Sequence, residues 1–160
     1  MKTNFLFPYR LKTLSGILFS ISFILLALFY SVSEFSNFEI KAKVFALFGD
    51  TGLFGENESF FWIENSITDE LLILLVIPFG IIFAFSKEKH EDEMVSAIRL
   101  NSLAWATIIN YVIILLGYLF VYGMPFLNVL MVAMISQLLI FILLFRFRMY
   151  RFYKTAAHEE

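Results

Sequence analysis

Few residues of this 160-residue chain have side chains suited to acid–base, nucleophilic or metal chemistry. The chain has no cysteine, which excludes disulfides, thiolate nucleophiles and cysteine-bound zinc. His90 and Glu93 are three residues apart and would share a helix face, but one histidine and one carboxylate make an incomplete metal site. His90 beside Glu91 or Glu93 also fits a pair that titrates near a pKa of about 6.5, or a solvated loop side chain. His158 is the only other histidine, so we predict no enzymatic activity, no metal and no cofactor.

The long apolar segments of the chain contain amides and hydroxyls but no charged residue near their middle. Proton relays and ion-coupled carriers normally have one there, which excludes these classes, including four-span exporters with an intramembrane glutamate. A rhomboid-type protease is excluded as well, because it needs a histidine within the membrane. The polar residues of interest in these segments are Asn110, Tyr118, Asn128, Ser136 and Gln137.

The third and fourth apolar segments are separated only by Gly123 and Met124, which predicts an antiparallel helical hairpin. Asn110 should then meet Ser136 or Gln137, and near the other end Tyr118 or Tyr122 should meet Asn128. These contacts fit hydrogen bonds that hold the helices together. They also fit a polar pocket for a small ligand or a lipid headgroup.

The composition explains why these polar residues are expected in a membrane. Hydrophobic residues make up 60% of the chain and charged residues only 16%, more apolar surface than a soluble domain of this size can bury. A soluble globular protein, a disordered chain and a basic nucleic-acid binder are excluded. A spanning helix needs about 20 apolar residues, and four segments qualify: 14–33, 67–86, 103–122 and 125–145. We predict an all-α membrane protein, a single domain with a four-transmembrane-helix bundle, in which Pro78 bends the second helix.

Basic residues are unevenly divided between the connecting segments. They cluster in 2–12, in the 87–99 loop and in the 146–160 tail, whereas the 34–66 loop has only Lys41 and Lys43. The positive-inside rule therefore predicts that both termini are cytoplasmic. The triplet at 31–33 also suits a signal peptidase, but the apolar run before it is longer than the roughly 7–15 residues of a signal peptide.

The 34–66 loop is the only sizeable segment outside the predicted spans. Residues 38–44 alternate between apolar and polar, which is typical of a strand, although a helical face also fits this region. The β-branched residues and the turn-like sequence at 49–52 favour a strand, with 60–63 as its partner in a short β-hairpin. Trp62 suits a membrane interface. The loop fits either a lid over the helix ends or a surface that binds a ligand or partner.

The 87–99 loop and the 146–160 tail carry the charges of the predicted cytoplasmic side. Acids at 91–93 precede an apolar helix face, where they complement the helix dipole. Arg99 has no acid three or four residues before it, so it reaches a lipid phosphate or pairs with an acid on another helix or chain. In the tail, Arg148 and Arg151 suit anionic lipid, a positive-inside anchor, or a clamp on the acidic loop. The candidate interaction surface comprises Glu91, Asp92, Glu93, Arg99, Arg148 and Arg151.

Three stretches resemble a known family: 67–70 (ITDE), 84–93 (AFSKEKHEDE) and 98–106 (IRLNSLAWA) with Asn110 and Tyr111, preceded by FPYR at 7–10. The chain is similar to an uncharacterised family of small four-span bacterial inner-membrane proteins. The resemblance implies a multi-pass protein of the bacterial cytoplasmic membrane and no activity. It also directs attention to the acids at 91–93, Arg99 and Ser102.

Together these observations predict a non-catalytic, accessory or regulatory membrane protein. Its partners would be membrane lipids and another membrane protein or a second copy of itself, with no nucleic acid. The alternative is a small carrier or a lipid- or quinone-binding membrane protein.

Overall fold

The computed structural model describes residues 6–32, 40–50, 57–89, 91–123 and 125–156. These residues form four helices and two strands: α1 (Tyr9–Ser31), β1 (Lys41–Asp50), β2 (Asn57–Ser66), α2 (Thr68–Ala84), α3 (Glu93–Phe120) and α4 (Pro125–Ala156). By length and composition, α1, α3 and α4 are able to cross a membrane. The chain divides into two compact units, one of Met1–Ile17 with Ile77–Glu160 and one of Leu18–Val76.

Each predicted apolar segment overlaps one helix, but the bounds of the helices differ from those of the segments. Helix α3 begins at Glu93, before the apolar segment that starts at 103, and α4 continues to Ala156, beyond the apolar segment that ends at 145. Helix α2 has 17 residues and continues through Pro78, so it is about 25 Å long. The two longest helices therefore extend beyond their apolar cores at the ends where the charged residues lie.

Within the smaller unit, β1 and β2 form an antiparallel two-stranded sheet. The predicted strand pairing is confirmed, and the helical alternative for this loop is wrong. The register places Phe45 opposite Trp62 and Lys43 opposite Glu64. The turn predicted at 49–52 is wrong in part, because β1 continues through Asp50; residues 38–39 and 51–56 lie outside the described part of the chain.

The base of the hairpin is attached to the start of α2. The Ile67 N–H donates to the carbonyl of Ile40 (2.9 Å), and the Ile40 N–H donates to the hydroxyl of Thr68 (2.9 Å). These bonds extend the ladder by one pair and fix the hairpin at the amino end of α2. Because side chains alternate along a strand, the exposed side chains lie on one face of the hairpin, which we call its outward face. Its exposed apolar residues are Phe45, Leu47, Phe60 and Trp62.

Within the larger unit, α3 and α4 pack side by side in opposite directions. Tyr118 of α3 meets Phe126 of α4, with ring centroids 5.9 Å apart. A Cβ added to Gly117 would lie 2.6 Å from Cγ1 of Val129, so the glycine permits a close approach of the two helices. In the link, Gly123 has a φ of +74°, which glycine adopts without steric cost.

Candidate functional site: an ionic cluster and an arginine-lined groove

The Arg99–Glu91 pair lies at the start of α3. Arg99 Nη1 and Nη2 donate to the two carboxylate oxygens of Glu91 at 2.6 and 3.1 Å. The same guanidinium donates to the carbonyl of Ser86 at 3.4 Å and lies 5.1 Å from the ring centroid of Phe145. The exposed fractions of the two side chains are 6% for Arg99 and 20% for Glu91. This bidentate pair is therefore an internal element of the larger unit.

The backbone before α3 is what brings Glu91 to Arg99. Asp92 adopts an extended conformation and caps α3, its Oδ1 accepting from the Val95 N–H at 2.7 Å. Glu91 then precedes the cap, outside the helix, and its carboxylate also accepts from the Glu88 N–H at 2.9 Å. Burial favours a higher pKa for Glu91, but these hydrogen bonds and the charge of Arg99 outweigh it, so the pKa is lowered from 4.5.

A second ion pair joins the amino-terminal segment to the same loop. Lys12 Nζ contacts the carboxylate of Glu88, and both side chains are largely buried. Beside it, the Phe7 N–H donates to the carbonyl of Phe85 (3.0 Å) and the Lys87 N–H donates to the carbonyl of Phe7 (2.9 Å). Breaking a buried ion pair by removing one partner is costly, so these contacts hold the loop in one arrangement.

The six residues predicted as an interaction surface have different environments. Glu91 and Arg99 pair with each other and Asp92 caps α3, whereas Glu93 and Arg151 are exposed and Arg148 is partly exposed. The observed ion pairs of Glu88 and Glu91 are with Lys12 and Arg99, not with the tail arginines of the predicted clamp. His90 lies outside the described residues, and within the described part no three His, Asp or Glu side chains are placed to hold a metal.

An open groove of about 520 Å³ separates the amino end of α3 from the carboxyl end of α4. Its lining residues are Met94, Ala97, Ile98 and Asn101 from α3 and Arg148, Arg151 and Phe152 from α4. No carboxylate is among these lining residues. The groove thus combines two cations and one amide with apolar walls, a combination suited to an amphipathic anion.

The amides and hydroxyls of α3 and α4 form a chain of hydrogen bonds. The Ser136 hydroxyl donates to Oδ1 of Asn110 (2.5 Å), and Asn110 Nδ2 donates to Oε1 of Gln137 (3.4 Å). Gln137 Nε2 donates in turn to the hydroxyl of Thr107 (3.2 Å). Sequence reasoning missed Thr107, although it lies three residues before Asn110 and therefore on the same helix face. The polar atoms bind one another, which suits helix association better than an open pocket.

The other predicted polar contact is not formed in the described structure. Tyr118, Tyr122 and Asn128 are exposed, and no hydrogen bond joins either tyrosine to Asn128 in the described residues. The Tyr122 hydroxyl donates instead to the carbonyl of Leu119 at 2.9 Å. Ser102 is fully buried, and its hydroxyl has no hydrogen-bond partner within the described part of the chain.

No protein-family model matches the chain, and no curated protein or solved structure gives a significant match. The resemblance to small bacterial inner-membrane proteins therefore stays a prediction. The functional argument depends on the contacts and exposed surfaces of the chain itself.

Proposed function

We propose that this protein is a non-catalytic accessory or regulatory component of a membrane, which binds another membrane protein or a second copy of itself. Its four helices would cross a bacterial cytoplasmic membrane with both termini on the cytoplasmic side. The length and apolar composition of α1, α3 and α4 support membrane insertion. Helix α2, about 25 Å long, would be a shorter fourth crossing in a bilayer core of about 30 Å.

The observation that carries the binding proposal is the outward face of the β-hairpin. Exposed apolar residues on the helices are accounted for by lipid, but the hairpin lies between predicted spans. Phe60 is 67% exposed and Trp62 70% exposed, and the rings of Phe45 and Trp62 are 5.4 Å apart. Clustered exposed aromatic side chains of this kind are typical of the centre of a protein interface.

The surroundings of this aromatic cluster also resemble an interface. Lys43 and Glu64 pair across the strands at 3.6 Å and are both exposed, which gives the apolar cluster a polar rim on its side toward the hairpin base. A two-stranded sheet is marginally stable in water by itself. Contact with a partner would cover the aromatic face and stabilise the hairpin.

The test is native mass spectrometry of the protein released gently from its own membranes. We expect a defined hetero-complex or a homo-oligomer, and its loss in the double variant Phe45→Ser/Trp62→Ser. The matched control is Lys43→Ser/Glu64→Ser, which changes two exposed side chains of the same hairpin face but removes no aromatic area. This control should retain the complex. A complex that survives in both variants, or a protein that is always monomeric, would contradict the proposal.

Lipid is the rival for covering the hairpin face, and the fluorescence of Trp62 distinguishes it. In a Trp105→Phe background Trp62 is the only tryptophan. In lipid nanodiscs that each hold a single copy of the purified protein, we expect Trp62 emission typical of a water-exposed indole. A blue-shifted emission under these conditions would mean that the membrane surface covers this face.

A second candidate function is a small carrier or a lipid- or quinone-binding membrane protein. The hydrogen-bond chain from Asn110 to Thr107 supports helix association and gives this candidate no pocket. The observation that favours it is the groove between α3 and α4, which is open, partly apolar and lined by two arginines.

A further inference from the structure

We infer that the outward face of the β-hairpin binds the same face of a second copy of this chain. The inference rests on the proposed function, because it names the partner of the surface proposed there. Its basis is the order of charged and aromatic residues on the face, which complements itself under one particular two-fold axis. The contact is isologous, since each copy presents the same residues to the other.

The register of the hairpin determines which residues of the outward face lie side by side. Lys43 of β1 is opposite Glu64 of β2, and two residues further along β1 Phe45 is opposite Trp62. All four residues are exposed, and the side chains of Lys43 and Glu64 form an ion pair at 3.6 Å. Each of these two levels therefore has unlike residues on its two strands, a cation beside an anion and a phenyl ring beside an indole.

A two-fold axis parallel to the strands makes this arrangement self-complementary. When two sheets stack face to face about 10 Å apart, rotation about such an axis places β1 of each copy over β2 of the other at the same level. Lys43 of each copy then lies over Glu64 of the other, which gives two reciprocal contacts between opposite charges. At the next level Phe45 lies over Trp62 of the other copy, so aromatic rings cover aromatic rings.

The attachment of the hairpin to α2 favours the same axis. The base of the hairpin is bonded to the amino end of α2 through Ile40, Ile67 and Thr68. Each strand has 10 residues, so the base lies about 30 Å from the far end of the hairpin. A two-fold axis across the strands would place the base of each hairpin beside the far end of the other. An axis along the strands keeps both bases together, as expected when the α2 helices of both copies begin at the same surface of one membrane.

The opposite charges at one level distinguish a second copy from a lipid surface. An anionic lipid surface would attract Lys43 and repel Glu64 at the same level of the hairpin. A second copy presents an acid to the lysine and a lysine to the acid at the same time. The aromatic rings gain from either surface, so the charged pair decides between them.

The test mixes the unchanged protein with a charge-swapped variant, Lys43→Glu/Glu64→Lys. Both proteins keep a pair of opposite charges across their own strands, so both hairpins should fold. Each protein should also form a homodimer, because an acid still faces a lysine across the two-fold axis. In a mixed dimer, lysine would face lysine at one contact and acid would face acid at the other.

The measurement is native mass spectrometry of purified full-length proteins that carry different mass labels and have exchanged subunits in detergent. Two labelled forms of the unchanged protein should pair at random. The unchanged protein and the charge-swapped variant should give about tenfold fewer mixed dimers than random pairing, the equivalent of about 1.4 kcal/mol for the two repulsive contacts. Random pairing of these two proteins would overturn the inference, because Lys43 and Glu64 would then not face each other between copies.

The matched control mixes the unchanged protein with Lys43→Ser/Glu64→Ser, which removes both charges and keeps the aromatic rings. Mixed dimers should form within about twofold of random pairing, since no like charges meet and exposed opposite charges contribute little. An equal shortage of mixed dimers in this control would overturn the inference, because charge repulsion would then not be the cause.

The fluorescence of Trp62 gives a second readout that does not depend on the charge variants. In the Trp105→Phe background, nanodiscs that hold two copies should show emission at shorter wavelength than nanodiscs that hold one. The shift is expected because the indole passes from water into the contact between copies. Equal emission from the two preparations would overturn the inference.

The outcomes also separate this inference from the proposed function. Suppose that the purified protein is monomeric but joins a different protein in native membranes, and that Phe45→Ser/Trp62→Ser abolishes that complex. This result would overturn the second copy as the partner and leave the proposed function in place. A homodimer that persists in Phe45→Ser/Trp62→Ser would overturn the inference, because the two copies would then meet elsewhere. A monomer in both purified and native preparations would contradict both proposals.

Discussion

Replacing Glu91 by Gln should destabilise the larger unit more than replacing its partner Arg99. The Arg99 side chain is 6% exposed, and its guanidinium donates its two shorter hydrogen bonds, 2.6 and 3.1 Å, to the Glu91 carboxylate. After Glu91→Gln, the cation would keep only the carbonyl of Ser86 at 3.4 Å, the ring of Phe145 at 5.1 Å and a neutral amide. Leaving a charge buried and uncompensated costs about 3–5 kcal/mol. Because some contacts persist, we expect about 3 kcal/mol, roughly a hundredfold in the unfolding equilibrium.

The reciprocal change should cost less. In Arg99→Met the new side chain keeps the apolar contact with Phe145, and Glu91, which is 20% exposed, regains water while still accepting from the Glu88 N–H. We expect a loss of about 1 kcal/mol, because no charge is left fully buried. The double variant should lose little more than Arg99→Met alone. The coupling energy of the cycle would then be close to 3 kcal/mol.

The assay is unfolding of the purified full-length protein in dodecyl maltoside micelles by titration with sodium dodecyl sulphate, followed by far-ultraviolet circular dichroism. The control is the exposed pair Lys43 and Glu64, whose double replacement by Gln should change stability by less than about 0.5 kcal/mol. Equal losses for Glu91→Gln and Arg99→Met, or a coupling energy below about 0.5 kcal/mol, would refute the reasoning.

Three further predictions use the same unfolding assay. The pKa of Glu91 is lowered by its partners, so the stabilisation of the fold by its carboxylate should be complete above the ordinary pKa of 4.5 and be lost as the pH falls through the lower folded-state pKa. The sodium dodecyl sulphate concentration at the unfolding midpoint should therefore fall below about pH 4.5 in the unchanged protein, and should fall less in Glu91→Gln. Ser136→Ala should lower stability by about 0.6–2 kcal/mol, because Oδ1 of Asn110 loses its donor, and Ser136→Thr, which keeps the hydroxyl, should recover most of the loss. Gly117→Ala should cost about 1–3 kcal/mol because its Cβ would meet Val129, and Val129→Ala in the same chain should restore stability; no restoration would place the strain elsewhere.

The regular elements were predictable to the extent that local patterns define them. Alternation at 38–44 and the apolar run at 60–63 predicted the paired strands, because side-chain direction in a strand has a period of two. The start of α3 was harder to place, since the acids at 91–93 suit a helix start equally well at several positions; the extended conformation of Asp92 decides it.

The polar contacts show where sequence reasoning stops. A short link joins the helices that carry Asn110 and Ser136, so these two residues come together as the hairpin geometry requires. Tyr118 and Asn128 also lie at matching depths by residue spacing, but they form no hydrogen bond with each other in the described structure. Spacing gives the depth of a residue along a helix and not the direction of its side chain around the helix axis. The partner of Arg99 was not predictable from helical spacing, because Glu91 lies before the cap, where the backbone leaves the helix.

The sequence by itself determined that the fold is mostly helical and where its most apolar elements lie. Composition and run length are properties of consecutive residues, so helices able to cross a membrane and a two-stranded hairpin follow from them. The tertiary structure alone decided that Lys12 meets Glu88, that Glu91 meets Arg99, and that a groove opens beside Arg148. These contacts depend on how a short loop turns and on how two helices are rotated, and neither quantity is encoded in residue spacing.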